Sequence, residues 1–386
     1  MTIDEAIRLI QAATGPFTLD LSSKKIIDAH LGKLVDKLKD TSYPVNLSLA
    51  NNIISDKGAQ VLAGALENAN HPFSLLDLSF NYIGNTGAQA LANAIEKAKH
   101  PVTLILFDNG IDNAGVQFLA NAIEKTEHPV SLDLSGTLID DHGVKALANA
   151  IGNAKNPVTL VLGAIKIGPE GVQALANAIE NSEHPITFNL GSNLIGDTGA
   201  QVLAGALANA KHPVSLVLSD CQIDDTGVQA LATGIRDASV PVTLDLSENQ
   251  IGDIGVQALA AAIRDALVPV TLDLSDNQIG DAGEQALLDV LNSGHAPLGT
   301  KILVDPNSQE KFDAAAEQNT RRLIDSAIAI GVCCLSQQPS LLSMPMPIEL
   351  IAKIIGYSFR NTSSADLAGD ISTRVARSYS PKGPRS

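Results

Sequence analysis

Proline returns along this chain at a fixed interval, and that period limits the folds open to it. Pro16, Pro44, Pro72, Pro101, Pro129, Pro157, Pro185, Pro213, Pro241, Pro269 and Pro297 follow one another at 28 residues, with a single spacing of 29 between Pro72 and Pro101. A period of this size marks a repeat architecture, in which one small unit is copied and each copy buries its apolar stripe against the next. The copies fill residues 16–308, which leaves room for about eleven. Such a core can be thin and aliphatic. The chain has eight Phe, four Tyr and no Trp in 386 residues, too few aromatics for several conventional cores.

One unit reads PVTLDLSENQIGDIGVQALAAAIRDALV (241–268). In it Leu244 and Leu246 alternate with Thr243, Asp245 and Ser247, which predicts a short strand with one buried face. Further on, Val256, Leu259, Ala260 and Ile263 fall at i, i+3, i+4 and i+7, which predicts a helix. The residue before that helical pattern is Asp56, Asn85, Asn113, Asp141, Asp197, Asp225, Asp253 or Asp281, with Pro169 once, and is read as the helix N-cap or a helix-starting proline. Two residues later every copy has Gly (Gly58, Gly87, Gly115, Gly143, Gly171, Gly199, Gly227, Gly255, Gly283), as expected where copies approach too closely for a side chain.

The pattern L-x-L-x-x-N-x-I, carried by Leu76, Leu78, Asn81 and Ile83 and again by Leu272, Leu274, Asn277 and Ile279, resembles the leucine-rich repeat. The 28-residue length with a full helix is similar to the ribonuclease-inhibitor-like subclass. The resemblance implies an α/β fold: a right-handed solenoid, or horseshoe, with a parallel sheet on the concave face and helices on the convex face. It also implies that the Asn of each copy satisfies turn backbone as a ladder, through Asn52, Asn81, Asn109, Asn193, Asn249 and Asn277. Lys24, Thr137, Ile165 and Cys221 depart from the ladder, so the middle of the solenoid is expected to be its least regular part. Cys221 is read as structural.

Charge narrows the function. Twenty-six Lys and Arg against 42 Asp and Glu give a net −16, which repels nucleic acid and favours a basic partner. Three cysteines cannot build a disulfide framework, and a reducing cytoplasmic setting is expected. The first residues lack a basic, apolar signal sequence, and no apolar run is long enough to predict membrane insertion. No P-loop, nucleophile elbow or metal-protease motif occurs. His71, His100, His128, His184 and His212 share one column directly before the repeat proline, where a solvated turn explains them better than a metal site. Helix capping likewise explains Asp140–Asp141 and Asp224–Asp225 without calcium. No cofactor, metal or catalytic residue is expected, and the chain is read as a non-enzyme.

The concave face is more informative. Its central column runs Asp20, Ser48, Asp77, Ile105, Asp133, Val161, Asn189, Val217, Asp245, Asp273, acidic toward the ends and apolar in the middle. Phe107 stands one step on, and Phe80 at the start of the preceding loop; both are expected to be exposed. Phe80, Phe107 and Ile105, with Asp77, Asp108 and Asp133 around them, form an apolar anchor ringed by charge. Val161, Asn189 and Val217 extend the candidate partner-binding face, for a protein with basic and apolar surface.

The ends differ from the repeats. Ile3, Ile7 and Ile10 predict a helical cap within residues 1–15, and residues 309–335 a C-terminal capping helix after a last strand at Ile302 and Val304, with Asn307 in the ladder position. Cys333 and Cys334 are expected to be buried in that cap. Residues 336–376 carry MPIELIAKIIGYSFRNTSSADLAGDISTRVA, which is similar to an F-box through Pro347, Glu349, Leu350, Ile354 and Ile355. That resemblance implies binding to the ubiquitin-ligase adaptor Skp1. Residues 377–386 are expected to be disordered. Near-identical copies such as GVQALANAIE and GAQALANAIE, with the F-box-like tail, resemble the eukaryote-like leucine-rich-repeat effectors of intracellular bacteria, which act in the host cytosol. The sequence supports an interaction module first, a ubiquitin-ligase recruiting subunit second, and an inhibitor masking a basic enzyme's active site third.

Overall fold

A computed structural model describes residues 2–39, 41, 43–68 and 73–336, the side chains of Asn68, Asn307 and residues 323–336 excepted. The strands are β1 (Phe17–Asp20), β2 (Val45–Ser48), β3 (Phe73–Asp77), β4 (Val102–Ile105), β5 (Val130–Asp133), β6 (Val158–Val161), β7 (Ile186–Asn189), β8 (Val214–Val217), β9 (Val242–Asp245), β10 (Val270–Asp273) and β11 (Lys301–Leu303). They form one sheet in sequence order, every neighbour parallel. The helices are α1 (Ile3–Ala12), α2 (Asp28–Lys39), α3 (Asp56–Asn68), α4 (Asn85–Lys97), α5 (Asn113–Lys125), α6 (Asp141–Gly152), α7 (Pro169–Asn181), α8 (Gly196–Asn209), α9 (Asp225–Asp237), α10 (Asp253–Asp265), α11 (Asp281–Ser293) and α12 (Pro306–Ser336). Consecutive helices from α1 to α12 pack on one another.

Strand spacing and helix spacing set the shape. Each repeat adds one strand, about 4.8 Å wide, and one helix, about 8–10 Å wide, so the helix layer traces the longer arc and the sheet lies inside. Between the layers, Leu104, Leu132, Leu160, Phe188 and Leu216 stack in register and are buried. Phe188 takes the place of a leucine there and is fully enclosed. From the helix side, Val116, Leu119, Ala120 and Ile123 close the same layer, and the alanines let neighbouring helices approach. The longer repeat between Pro72 and Pro101 is absorbed as a bulge: Val45 pairs Phe73, but Asn46 pairs Leu75.

Of the acidic residues read as caps, Asp140 and Asp224 do cap their own helices α6 and α9, accepting from the amides of His142 and Thr226, whereas the Asp and Asn residues one position on do not. α10 begins on Asp253, with Gly252 in the cap position, and Asp253 Oδ1 accepts from the amides of Gly280 at 2.8 Å and Gly283 at 2.9 Å, at the start of α11. Asp56 serves Gly84 and Gly87 in the same way, and Asp225 serves Gly252 and Gly255. Each of these copies therefore caps the next, satisfying amides that a helix start leaves unpaired. The invariant glycine follows from this. A Cβ on Gly87 would stand 2.8 Å from Asp56 Oδ1 and 2.7 Å from Ile83 Cγ2.

At the N-terminal end α1 carries a capping box, with Thr2 accepting from the Glu5 amide and Glu5 accepting from that of Thr2. At the other end α12 starts at Pro306, so Asn307 lies in a helix and not in the ladder turn. Phe312 and Ala315 of α12 are buried at this end of the stack. The F-box-like residues Pro347, Glu349, Leu350, Ile354 and Ile355, and residues 377–386, lie outside the described residues, as do the side chains of Cys333 and Cys334.

Candidate interaction surface

Two hydrogen-bond systems hold the loops that carry the exposed face. In the first, Asn249 accepts from the amides of Cys221 and Ile223 and donates to the carbonyls of Leu218, Leu246 and Ser247. Asn52, Asn81, Asn109, Asn193 and Asn277 make equivalent bonds. Thr137 keeps one of them, from its hydroxyl to the Leu134 carbonyl at 2.6 Å, and Ile165 none. Cys221 donates from Sγ to the Leu190 carbonyl, and burial pushes its thiol up to about 11, so it is a packing residue and not a nucleophile.

The second system closes each strand. Asp245 accepts from both the amide and the hydroxyl of Ser247, and Asp273 does the same with Ser275. Asp77 holds Ser79 likewise and accepts from Ser48 at 2.9 Å. Asp133 accepts from the Ser135 amide, and Asn189 from that of Gly191. The acidic character of this column is thus part of the turn.

The residues read as an anchor lie on neighbouring strands and loops. Ile105 pairs with Asp77 on one side and Asp133 on the other, and all three are half-buried on the inner face. The rings of Phe80 and Phe107 meet edge to face, with centroids 4.9 Å apart and planes at 70°. Phe80 is 48% exposed. Phe107, expected to be exposed, is half-buried, because it packs against Phe80 and beside Gly136, whose Cβ position would lie 3.4 Å from the ring. Phe80 and Asp108 both take positive φ, 52° and 50°, which turns the loop away from the strand. Asp108 is exposed. Val161, Asn189 and Val217 continue the column in register, each half-buried.

One apolar column escapes the strand-based reading. Directly after the ladder position stand Ile53 (49% exposed), Tyr82 (70%), Leu138 (70%) and Leu194 (66%), where other copies have Lys166, Gln222, Gln250 and Gln278. The signal was the column itself, apolar in four of its first seven members, with Lys25, Gly110 and Lys166 between them, and Gln in the last three.

His100 and His128 stack with centroids 6.5 Å apart, at a turn. Among the described residues no group of three or more His, Cys, Asp or Glu could hold a metal ion, and no helix is long and apolar enough to cross a membrane.

The family model for the leucine-rich repeat matches residues 69–92, 186–204, 214–232, 242–260 and 270–288. No curated protein sequence matches the chain. Among solved structures, an internalin from Listeria monocytogenes is similar at 14% identity over 79% of this chain and 89% of that one, with a TM-score of 0.34. The yeast complex of Rad7 and Elc1 is similar at 15% identity over 78% and 76%, with a TM-score of 0.41. Leiomodin-1 actin-binding site 2 is similar at 15% identity over 38% and 88%, with a TM-score of 0.30. The matched units, within one sheet of parallel strands alternating with helices, give the chain the fold of a leucine-rich-repeat solenoid of about eleven copies.

Proposed function

We propose that the chain is a non-enzymatic protein-interaction module whose inner face binds a protein with basic and apolar surface. The observation that carries this reading is the edge-to-face pair of Phe80 and Phe107, set beside Ile105 and bordered by Asp77, Asp108 and Asp133. The framework does not require aromatics at these positions: the equivalent residues elsewhere are Ser, Gly, Ala, Asn, Asp or Glu. A desolvated apolar centre ringed by charge is the layout of binding hot spots. Affinity purification from cell lysate with the full chain tests it. A folded Phe80→Ala/Phe107→Ala chain should recover less than a tenth of the partner; equal recovery rules this surface out.

The ribonuclease-inhibitor-like repeat length also suits an inhibitor masking a basic enzyme, and the near-identical copies suit an effector acting in a host cytosol. The F-box-like residues Pro347, Glu349, Leu350, Ile354 and Ile355 support a second role, recruiting substrates to a ubiquitin ligase through Skp1. A direct Skp1 binding assay separates the two. Binding lost on Pro347→Ala/Leu350→Ala supports recruitment, and no binding by the unmodified chain excludes it.

A further inference from the structure

The strand-end column is polar wherever it serves the fold, and aliphatic at every second strand in the middle. From β3 to β9 it reads Asp77, Ile105, Asp133, Val161, Asn189, Val217, Asp245, all in register. Asp and Asn there close the turn by accepting the amide two residues on. Ile105, Val161 and Val217 cannot accept it. After Val161 the Gly163 amide turns instead to the Ser135 hydroxyl of the previous copy, at 2.9 Å. These three residues forgo a bond that the Asp and Asn of the column make, and they do not join the core: they stay half-buried on the inner face. Nothing in the framework calls for them.

Their spacing selects what fits. Every second strand places Ile105, Val161 and Val217 about 9.6 Å apart, with Asp133 and Asn189 midway. An α-helix laid across the strands returns a side chain to the same face after seven residues, about 10.5 Å, with residue i+3 or i+4 about 5 Å along. An extended peptide repeats its face about every 6.6 Å and falls out of step. Asp77 and Asp133 flank Ile105, Asp108 stands in the loop that follows it and Asp220 lies at the far end, so the setting is acidic, which favours cationic residues between the aliphatic ones.

We propose that this face binds one amphipathic α-helix of about 15 residues lying across β4 to β8, with aliphatic side chains at i, i+7 and i+14 against Ile105, Val161 and Val217 and Lys or Arg at i+3 or i+4 facing Asp133. This rests on the inner-face reading above and specifies its partner. Phe107, one step from Ile105, closes the end of the track.

Two fluorescein-labelled peptides of one composition in an Ala-rich background test it by anisotropy with the full chain. One carries Leu at seven-residue spacing with Lys at i+4; in the other the same residues are permuted so that Leu alternates as on a strand. The helical register should bind at least tenfold more tightly. Val161→Asp and Val217→Asp install the ordinary residue of the repeat, so each should fold with an unchanged midpoint and bind the helical peptide at least tenfold more weakly. Equal binding of both peptides, no binding of the helical one, or unaltered affinity in Val161→Asp overturns the proposal. If it fails while Phe80→Ala/Phe107→Ala still loses the cellular partner, the helical register alone is wrong; if recovery is also unchanged, the inner-face reading falls with it.

Discussion

The copies around β9 and β10 and those around β5 and β6 share a backbone but not a set of side chains. In the first region every inter-repeat device is present: Asp245 closes its turn, Asn249 makes its ladder bonds, and Asp253 caps α11. In the second, Thr137 and Ile165 leave two successive ladder positions reduced or empty. Pro169 starts α7 but offers no acceptor to α8, which begins instead at Gly196, with φ +57° and no side-chain cap. The leucine columns run unbroken through both. Apolar stacking thus carries the fold through the middle, while the hydrogen-bond ladder is complete on either side of it. In a solenoid each copy feels only its neighbours, so such local losses stay local.

The largest effect is expected where the ladder is complete. Asn249→Leu removes two acceptor and three donor bonds from buried backbone and should cost about 3 kcal/mol or more in urea unfolding, whereas Ile165→Leu should cost under about 1.5 kcal/mol. Equal losses would dissolve the contrast. The cap system gives a second test. Gly227→Ala places a Cβ 2.5 Å from Asp197 Oδ1 and 2.8 Å from Ile223 Cγ2. It should lower stability by about 1–3 kcal/mol. Gly205, on α8, has nothing within 4 Å of the same position. Gly205→Ala should raise stability by about 0.5–1 kcal/mol.

A gentler probe repairs the seam. Ile165→Asn gives the Thr137 and Ile139 amides the acceptor that Asn193 gives Ile165 and Ile167, and hydrogen exchange at Ile139 should slow about tenfold. Unchanged exchange would mean that the missing rung is not what distinguishes this region. The smallest effect is electrostatic. Backbone hydrogen bonds from His142 and Thr226 hold the carboxyls of Asp140 and Asp224 below the ordinary range. A depressed folded pKa contributes stability above the unfolded value and loses it as pH falls through the folded one, so unfolding midpoints should be flat from pH 7 to 5 and fall below about pH 4. Asp140 is exposed and Asp224 half-buried, and Asp140→Asn should flatten that fall only slightly.

The period, the strands, the Asn ladder and its failure at Ile165 were legible because each depends on residues within one copy or on a column of identical ones. The direction of capping was not. Asp253 precedes its own helical pattern, and within a single copy an acidic residue there reads as a cap; its acceptor role is directed at Gly280 and Gly283, a full repeat away, and only stacking brings them together. Burial of Phe107 was hidden for a related reason, since its neighbours are Phe80 of the previous copy and Gly136 of the next. The purpose of the acidic column was half visible: its charge could be read, but not that Asp245 spends it on Ser247.

In the proposed binding mode, the middle of the inner face departs from the repeat for the sake of a partner and not of the fold. The urea-unfolding free energy of Val217→Asp tests that most directly, because Ser219 already stands where Ser247 and Ser275 pair with Asp245 and Asp273. A restored turn should leave stability unchanged or raise it by up to about 1 kcal/mol. A loss of more than about 1 kcal/mol would show that Val217 is held by packing, and would contradict the account.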